Sequence, residues 1–157
     1  MAASPDVPIT PEGLTEVRRE LEHLVRVRRP DIVARIKAAR EHGDLSENFE
    51  YHSARNEQSF IETRIRELEV IVKNHVLIEA PGARDKVELA STVTLVEEDG
   101  PEEKYRIVGP AEADPGAGRV SFESAMGRAL LGHRVGEDVQ VHTPAGGIYT
   151  VRILQIE

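Results

Sequence analysis

Apolar residues in the first half of the chain recur at the spacing of an α-helix. They stand three or four residues apart, which places them on one helix face, and the stripe continues after one shift in phase. Thr10 is a suitable N-cap, and Pro11 suits the first helical position. Pro30 falls within the phase shift, where its missing N–H is expected to kink the helix or start a new one. The stripe consists of Leu14, Val17, Leu21, Leu24, Ile32, Ile36 and Ala39.

A second stretch follows a regular heptad pattern, which predicts an a/d seam of roughly three and a half repeats. Gly43 suits the end of the first helix, and Ser46 or Asp44 suits the N-cap of the second. Because the connection is short, the two helices are expected to pack antiparallel as a hairpin. Its first arm, of about 30 residues, would be roughly 45 Å long. The seam positions are Tyr51, Ala54, Gln58, Ile61, Ile65, Leu68, Val72 and His75.

The rest of the chain alternates apolar and polar residues as β-strands do, with turn residues between the runs. Ten of the twelve glycines and five of the nine prolines follow residue 80. We therefore predict an α+β chain with a coiled-coil helical hairpin at residues 1–80 and an antiparallel sheet with one short helix at residues 81–157. The predicted elements of the second part are two β-hairpins turning at 97–101 and 143–147, a strand at 119–122 and a helix at 126–131.

Composition narrows the class of protein. The formal charge is −8 and there is no cysteine, which excludes disulfides, a thiolate zinc site and a cysteine nucleophile. The acidic balance, with three Tyr, three Phe and no Trp, argues against autonomous binding to DNA or RNA. No apolar run is long enough to cross a membrane, and residues 1–8 lack the features of a signal peptide, so a cytoplasmic location is expected.

Two carboxylates, Asp44 and Glu47, fall in or next to the loop between the predicted helices. At the start of a helix they would complement the helix dipole, which is worth about 0.3–1 kcal/mol for each charge. Alternatively, two exposed carboxylates offer the oxygen ligands that Mg²⁺ takes together with water and phosphate. The spacing of the two residues alone leaves both interpretations open.

The residues around this loop resemble the tip of the Gre transcript-cleavage factors, most closely the GreA type. Residues 39–55 read AREHGDLSENFEYHSAR, which contains the string Gly-Asp-Leu-x-Glu-Asn-x-Glu-Tyr. The string is long and specific, and the resemblance extends over nearly the whole chain. The other matching segments are 10–14, 27–30, 105–109, 112–114, 127–132 and 135–137.

The resemblance implies a C-terminal domain with an FKBP-like fold that binds bacterial RNA polymerase at the rim of its secondary channel. The hairpin would enter the channel and bring Asp44 and Glu47 to the active centre as the catalytic and metal-ligating residues. There they would help hold a second Mg²⁺, shared with the polymerase and not bound stably by the chain alone. They would also orient the water that cleaves the 3′ end of backtracked nascent RNA. The chain would then be an accessory factor and not itself an enzyme, and separately from the resemblance we expect a monomer.

The same resemblance assigns contacts outside the acidic tip. Tyr51 and Arg55 would lie near RNA or near loops of the polymerase active site, although seam packing explains Tyr51 equally well and Arg55 could be a solvated charge. Ser124, Ala125 and Met126 are candidates for the polymerase contact. Gre factors often carry Ser-Pro at this point, and Ala125 departs from that pattern.

Three other functions remain open. A Gre-like inhibitor would occupy the channel without promoting cleavage, but such homologues have an altered acidic tip, whereas residues 44–48 here retain it. A secondary-channel regulator of the zinc-finger type is disfavoured because the chain has no cysteine. A prolyl isomerase is suggested by the FKBP-like fold alone, and a fold does not establish a function.

Overall fold

The chain forms two compact units. The structure is a computed structural model, and it describes residues 5–43, 47–82 and 84–157. One unit, Leu14–Asn74, is helical. The other unit combines the residues up to Gly13 with His75–Glu157 and contains the β-strands.

The helical unit consists of two arms. The first arm runs through α1 (Pro11–His23), a π-helical turn (Leu24–Arg28) and α2 (Arg29–Arg40). The second arm is a single helix, α3 (Phe49–Asn74). The predicted hairpin of two long helices is therefore confirmed, and α1 begins at the proline that the sequence indicated.

The π-helical turn lies where the apolar stripe shifts phase. The Arg29 backbone N–H donates to the carbonyl of Leu24, five residues back instead of four. Pro30 follows directly. In a regular α-helix its ring would clash with the carbonyl four residues back, and proline has no backbone N–H to donate to that carbonyl. A π turn accommodates one extra residue, so the buried side of the helix is restored from Ile32 onward. The predicted break at Pro30 is thus a local widening of the helix.

The two arms run antiparallel and share a hydrophobic core. Ion pairs join Glu20 to Arg64 and Arg35 to Glu57, so residue numbers rise along one arm as they fall along the other. The predicted seam is confirmed where it is most apolar, since four of its residues on α3 are buried. His75 is an exception, because it begins a strand and does not end the helix. The buried core residues are Ile32, Ile36, Ala54, Ile61 and Ile65.

The basic residues of the first arm form ion pairs across the hairpin. Arg29 donates to both carboxylate oxygens of Glu62, at 2.7 and 2.9 Å. Glu57 accepts from both Arg28 and Arg35, at 2.8 and 2.6 Å. The hydrogen bond from Arg29 lowers the pKa of Glu62, and the one from Arg35 lowers the pKa of Glu57. These arginines therefore form ion pairs that join the two arms of the hairpin.

The second unit is built on a five-stranded sheet with one short helix. Its elements are β3 (Thr92–Glu97), β4 (Glu102–Val108), β5 (Arg119–Ser121), α4 (Ala125–Leu130), β6 (Asp138–His142) and β7 (Ile148–Ile156). The strand order in the sheet is β5-β4-β3-β7-β6. The two predicted β-hairpins are present as β3–β4 and β6–β7, and the predicted helix lies between β5 and β6.

One strand pair corrects the prediction of a purely antiparallel sheet. β5 pairs with β4 in parallel, with Ile107 opposite Val120. Between these strands the chain passes through 3₁₀ turns at Pro110–Glu112 and Pro115–Ala117, so it returns in the same direction instead of folding back as a hairpin. The other neighbours in the sheet are antiparallel. The α+β class, with a helical hairpin and a sheet carrying one short helix, is confirmed.

A small parallel sheet was not indicated by the sequence. β1 (Val7–Ile9) pairs with β2 (His75–Leu77), which joins the segments before and after the hairpin. This pairing groups the residues up to Gly13 with the second unit, whereas the boundary predicted from composition lies at residue 80.

A buried polar cluster lies beside this small sheet. Thr10 is fully buried, and its backbone N–H donates to Glu112 Oε2 at 2.8 Å. Its hydroxyl donates to the other Glu112 oxygen and accepts from the Gly13 N–H, at 3.1 Å. The predicted N-cap at Thr10 is therefore confirmed, and a carboxylate 102 residues away holds it in place. We refer to Thr10, Gly13 and Glu112 as the Thr10 cluster.

Candidate functional site

The end of the hairpin is organised by an asparagine. Asn48 Oδ1 accepts from the Tyr51 N–H at 3.0 Å, which makes Asn48 the N-cap of α3. Its Nδ2 donates to the Ala39 carbonyl at 2.7 Å, near the end of α2. The one side chain thus ties the two arms together where the chain reverses.

The sequence placed this N-cap too early. Ser46 and Asp44 lie outside the described residues, and α3 begins at Phe49, directly after Asn48. Asparagine is among the best N-cap residues. Asp and Ser are about as good in this position, so the sequence offered no signal that favoured Asn48.

Glu47 lies next to this cap with an exposed side chain. The other predicted metal-ligating residue, Asp44, lies outside the described residues. Magnesium is commonly held by one or two carboxylates and completes its shell with water and phosphate. Glu47 fits such a shared site. Among the described residues, no group of three His, Asp or Glu side chains converges as a metal site.

Tyr51 packs into the hairpin. It is partly buried against the hairpin core, and its ring meets the His52 ring edge-on with centroids 5.5 Å apart. The Arg40 guanidinium lies over the Tyr51 ring, 5.8 Å from its centroid. The structure therefore bears out the seam-packing interpretation of Tyr51.

Arg55 lies in a basic groove near the same end of the hairpin. Lys37, Arg40 and Arg55 line a groove of about 330 Å³ together with the apolar side chains of Val33 and Ile36. In the described part of the chain, none of these three cations belongs to an ion pair. Three such cations within one groove suit an anionic ligand such as a phosphate.

Ser124, Ala125 and Met126 line a single cavity in the sheet unit. Ser124 is the N-cap of α4, since its hydroxyl accepts from the Gly127 N–H at 3.1 Å. The cavity has a volume of about 510 Å³. The structure therefore brings the three predicted partner-contact residues together.

Two tyrosines, which the sequence analysis did not single out as site residues, line the same cavity. Tyr105 and Tyr149 stand with the apolar side chains of Val120 and Val141. Burial raises the pKa of both phenols above the ordinary tyrosine value. Their place on strands β4 and β7 could be read from the sequence, whereas their convergence on α4 depends on the strand order.

Comparison with known proteins matches both parts of the chain. The family model described as "Transcription elongation factor, N-terminal" (GreA_GreB_N) covers residues 7–76, and "Transcription elongation factor, GreA/GreB, C-term" covers residues 81–157. Transcription elongation factor GreA of Thermomicrobium roseum is 52% identical over 96% of this chain and 97% of its own length. The same factor of Bacillus subtilis is 48% identical over 99% of both chains.

Solved structures also match over nearly the full length. The GreA factor homolog 1 (Gfh1) protein of Thermus thermophilus is 31% identical and covers 98% of this chain and 99% of its own, with a TM-score of 0.45. No helix in the described ranges has the length and apolarity that crossing a bilayer demands.

Proposed function

The chain belongs to the GreA/GreB family of transcription elongation factors, and from this premise we propose that it stimulates RNA polymerase to cleave backtracked RNA. It would do so by placing the end of its hairpin in the secondary channel of the polymerase. The polymerase would perform the cleavage, so the chain would act as an accessory factor in the cytoplasm, as a monomer.

One observation carries the proposal. The hairpin ends in an ordered cap, Asn48, with the exposed carboxylate of Glu47 directly beside it. The first arm runs from Pro11 to Arg40, 30 residues or about 45 Å of helix, so a carboxylate at its end can reach deep into a channel.

Glu47 and Asp44 would act together at the polymerase active centre. A second Mg²⁺ bound there would stabilise the charge that develops on the attacking and leaving oxygens. Glu47 would be one of the residues that hold this ion, and its carboxylate could also accept a hydrogen bond from the attacking water and orient it. Asn48, the next residue, is tied to both arms by its side chain, so the backbone beside Glu47 is anchored at the end of the hairpin.

The basic groove offers a second contact to the nucleic acid. Lys37, Arg40 and Arg55 would lie along the phosphates of the displaced RNA, where ion pairing compensates for the acidic charge of the whole chain. Tyr51 would contribute indirectly, because it packs beneath Arg40 and supports the groove.

The cavity at the start of α4 would receive an apolar segment of the polymerase. Met126 offers an apolar side chain, and Tyr105 and Tyr149 offer apolar rings with a polar hydroxyl at the end, which is a common composition at protein interfaces. Ser124 is committed to capping α4, and Ala125 leaves room that a larger residue would fill. Docking through this cavity would be independent of the acidic tip.

The test uses purified polymerase stalled on a template with backtracked RNA labelled at its 5′ end. The wild-type chain should accelerate cleavage, and Glu47→Gln or Asp44→Asn should abolish that acceleration while polymerase binding is retained. Glu41→Gln, which removes another exposed carboxylate directly after α2 at the same end of the hairpin, is the matched control and should keep activity. The chain alone should not cleave RNA in Mg²⁺.

Two other outcomes of this test would contradict the proposal. Wild-type rates from both tip variants would contradict the role of the carboxylates. Binding without any acceleration by the wild-type chain would indicate an inhibitor of the polymerase.

A further inference from the structure

The hairpin end carries an aromatic side chain that the hairpin does not use for packing. Phe49, the first residue of α3, is 83% exposed and lies outside the hydrophobic core of the hairpin. A phenylalanine left in water forgoes the stabilisation that burial would bring. Single exposed apolar side chains are ordinary, however, so the exposure alone indicates no function.

The residues around Phe49 suggest why its side chain is exposed. Phe49 lines a groove between the ends of α2 and α3 with a volume of about 320 Å³, within the range of about 300–1,000 Å³ typical of small-ligand sites. Small apolar residues, Ala38, Ala39 and Ala54, line it as well. An aromatic ring beside small side chains leaves room for a flat group.

The polar residues of the groove suit the edges of a nucleobase. His42 and Ser53 can donate or accept hydrogen bonds, and Glu50 can accept them. Arg35 also lines the groove, with its guanidinium held by Glu57 at 2.6 Å. Every base has a π face that stacks on an aromatic side chain, and its edges carry donors and acceptors.

We propose that Phe49 stacks on the unpaired 3′-terminal base of backtracked RNA and thereby positions that RNA for cleavage. The inference rests on the proposed function, because the RNA end would meet the groove only inside the polymerase. Phe49 follows Glu47 by two residues, with Asn48 fixing the turn between them. A base held on Phe49 would therefore lie beside the carboxylate proposed to act on its phosphate.

The chain offers a matched control for the test. Phe60 is on the same helix, is 76% exposed, and lies about three helical turns further from the hairpin end. Phe49→Ala and Phe60→Ala therefore remove the same group from equally exposed positions. Phe49→Trp keeps an aromatic face and serves as the conservative variant. Because Phe49 and Phe60 are both exposed, all three variants should unfold at the wild-type temperature.

The experiment measures cleavage in stalled complexes with two RNAs, one with a normal 3′-terminal base and one with an abasic 3′ nucleotide. On the normal RNA, Phe49→Ala should slow cleavage roughly 5- to 150-fold, which corresponds to the loss of one base–aromatic stack. Phe60→Ala and Phe49→Trp should stay near the wild-type rate. On the abasic RNA, Phe49→Ala and the wild type should cleave at equal rates.

Two results would overturn the inference. One is a wild-type rate from Phe49→Ala on the normal RNA. The other is an equal loss on both RNAs, which would mean that Phe49 contacts protein and not a base. Either result leaves the proposed function standing if the wild-type chain accelerates cleavage, whereas absence of that acceleration removes the proposed function itself.

Discussion

The Thr10 cluster predicts an unusual effect of a glycine-to-alanine substitution. Gly13 lies in the first turn of α1, where alanine is normally better than glycine by about 0.5–1 kcal/mol. A Cβ at Gly13 would stand 2.0 Å from Glu112 Oε1 and 2.2 Å from Glu112 Cδ. Gly13→Ala therefore forces the Glu112 carboxylate away from Thr10.

The cost follows from the hydrogen bonds that are lost. Glu112 accepts from both the N–H and the hydroxyl of Thr10, and hydrogen bonds to charged groups contribute about 1.5–3 kcal/mol each. Because Thr10 is fully buried, its N–H would be left without a partner. After the helical gain from alanine is subtracted, Gly13→Ala should lower the free energy of unfolding by about 2–5 kcal/mol.

A double-mutant cycle isolates the cause. In a Glu112→Ala background the obstructing carboxylate is gone, so adding Gly13→Ala should raise the free energy of unfolding by about 0.5–1 kcal/mol. Urea unfolding can be followed by tyrosine fluorescence with Tyr51→Phe present, since the remaining tyrosines, Tyr105 and Tyr149, report on the sheet unit. The reasoning is refuted if Gly13→Ala has the same effect in both backgrounds.

Three further changes test other parts of the fold. Asn48→Ala should lower hairpin stability by about 1–2 kcal/mol, and Asn48→Asp should lower it less, because aspartate keeps the cap to Tyr51 and loses only the hydrogen bond to Ala39. Thermal unfolding followed by circular dichroism measures both variants, and equal stability of the two would contradict the capping role of Asn48. Gly127→Ala places a Cβ 2.0 Å from the carbonyl oxygen of Ser121, so it should lower the free energy of unfolding by about 2–3 kcal/mol and weaken polymerase binding in a pull-down. Unchanged stability would contradict the close approach of α4 to the Ser121 backbone. The pKa of Glu62 is lowered in the fold, so its ion pair stabilises the hairpin fully above the unfolded pKa of about 4.3, and this stabilisation is lost as the pH falls through the lower folded pKa. The melting temperature of the hairpin should therefore fall with acidification in that range, and Glu62→Gln should make it less dependent on pH.

The elements with strong periodicity could be predicted from the sequence. The heptads of α3 indicated the residues that are buried, and the turn residues at 97–101 and 143–147 indicated both β-hairpins. Thr10 was recognisable as a cap because its helical neighbours Pro11 and Glu12 also fit a helix start. These features depend on local physics, namely side-chain spacing, capping and turn geometry.

The features that were missed depend on distant contacts. β1 and β2 have three residues each, which is too short for an alternation to appear, and their pairing joins positions 68 residues apart. Glu112 lies in one of the segments that match the family, but nothing in the sequence indicated that its carboxylate would bind Thr10. The groove at Phe49 likewise depends on how α2 and α3 meet.

The most direct test of the central claim is the rate of RNA cleavage in a stalled, backtracked complex saturated with this chain or with Glu47→Gln. Equal polymerase occupancy is confirmed by native gel before Mg²⁺ is added. The account predicts rapid cleavage with the wild-type chain and only the polymerase's own slow rate with Glu47→Gln. Equal acceleration by the two chains would contradict it.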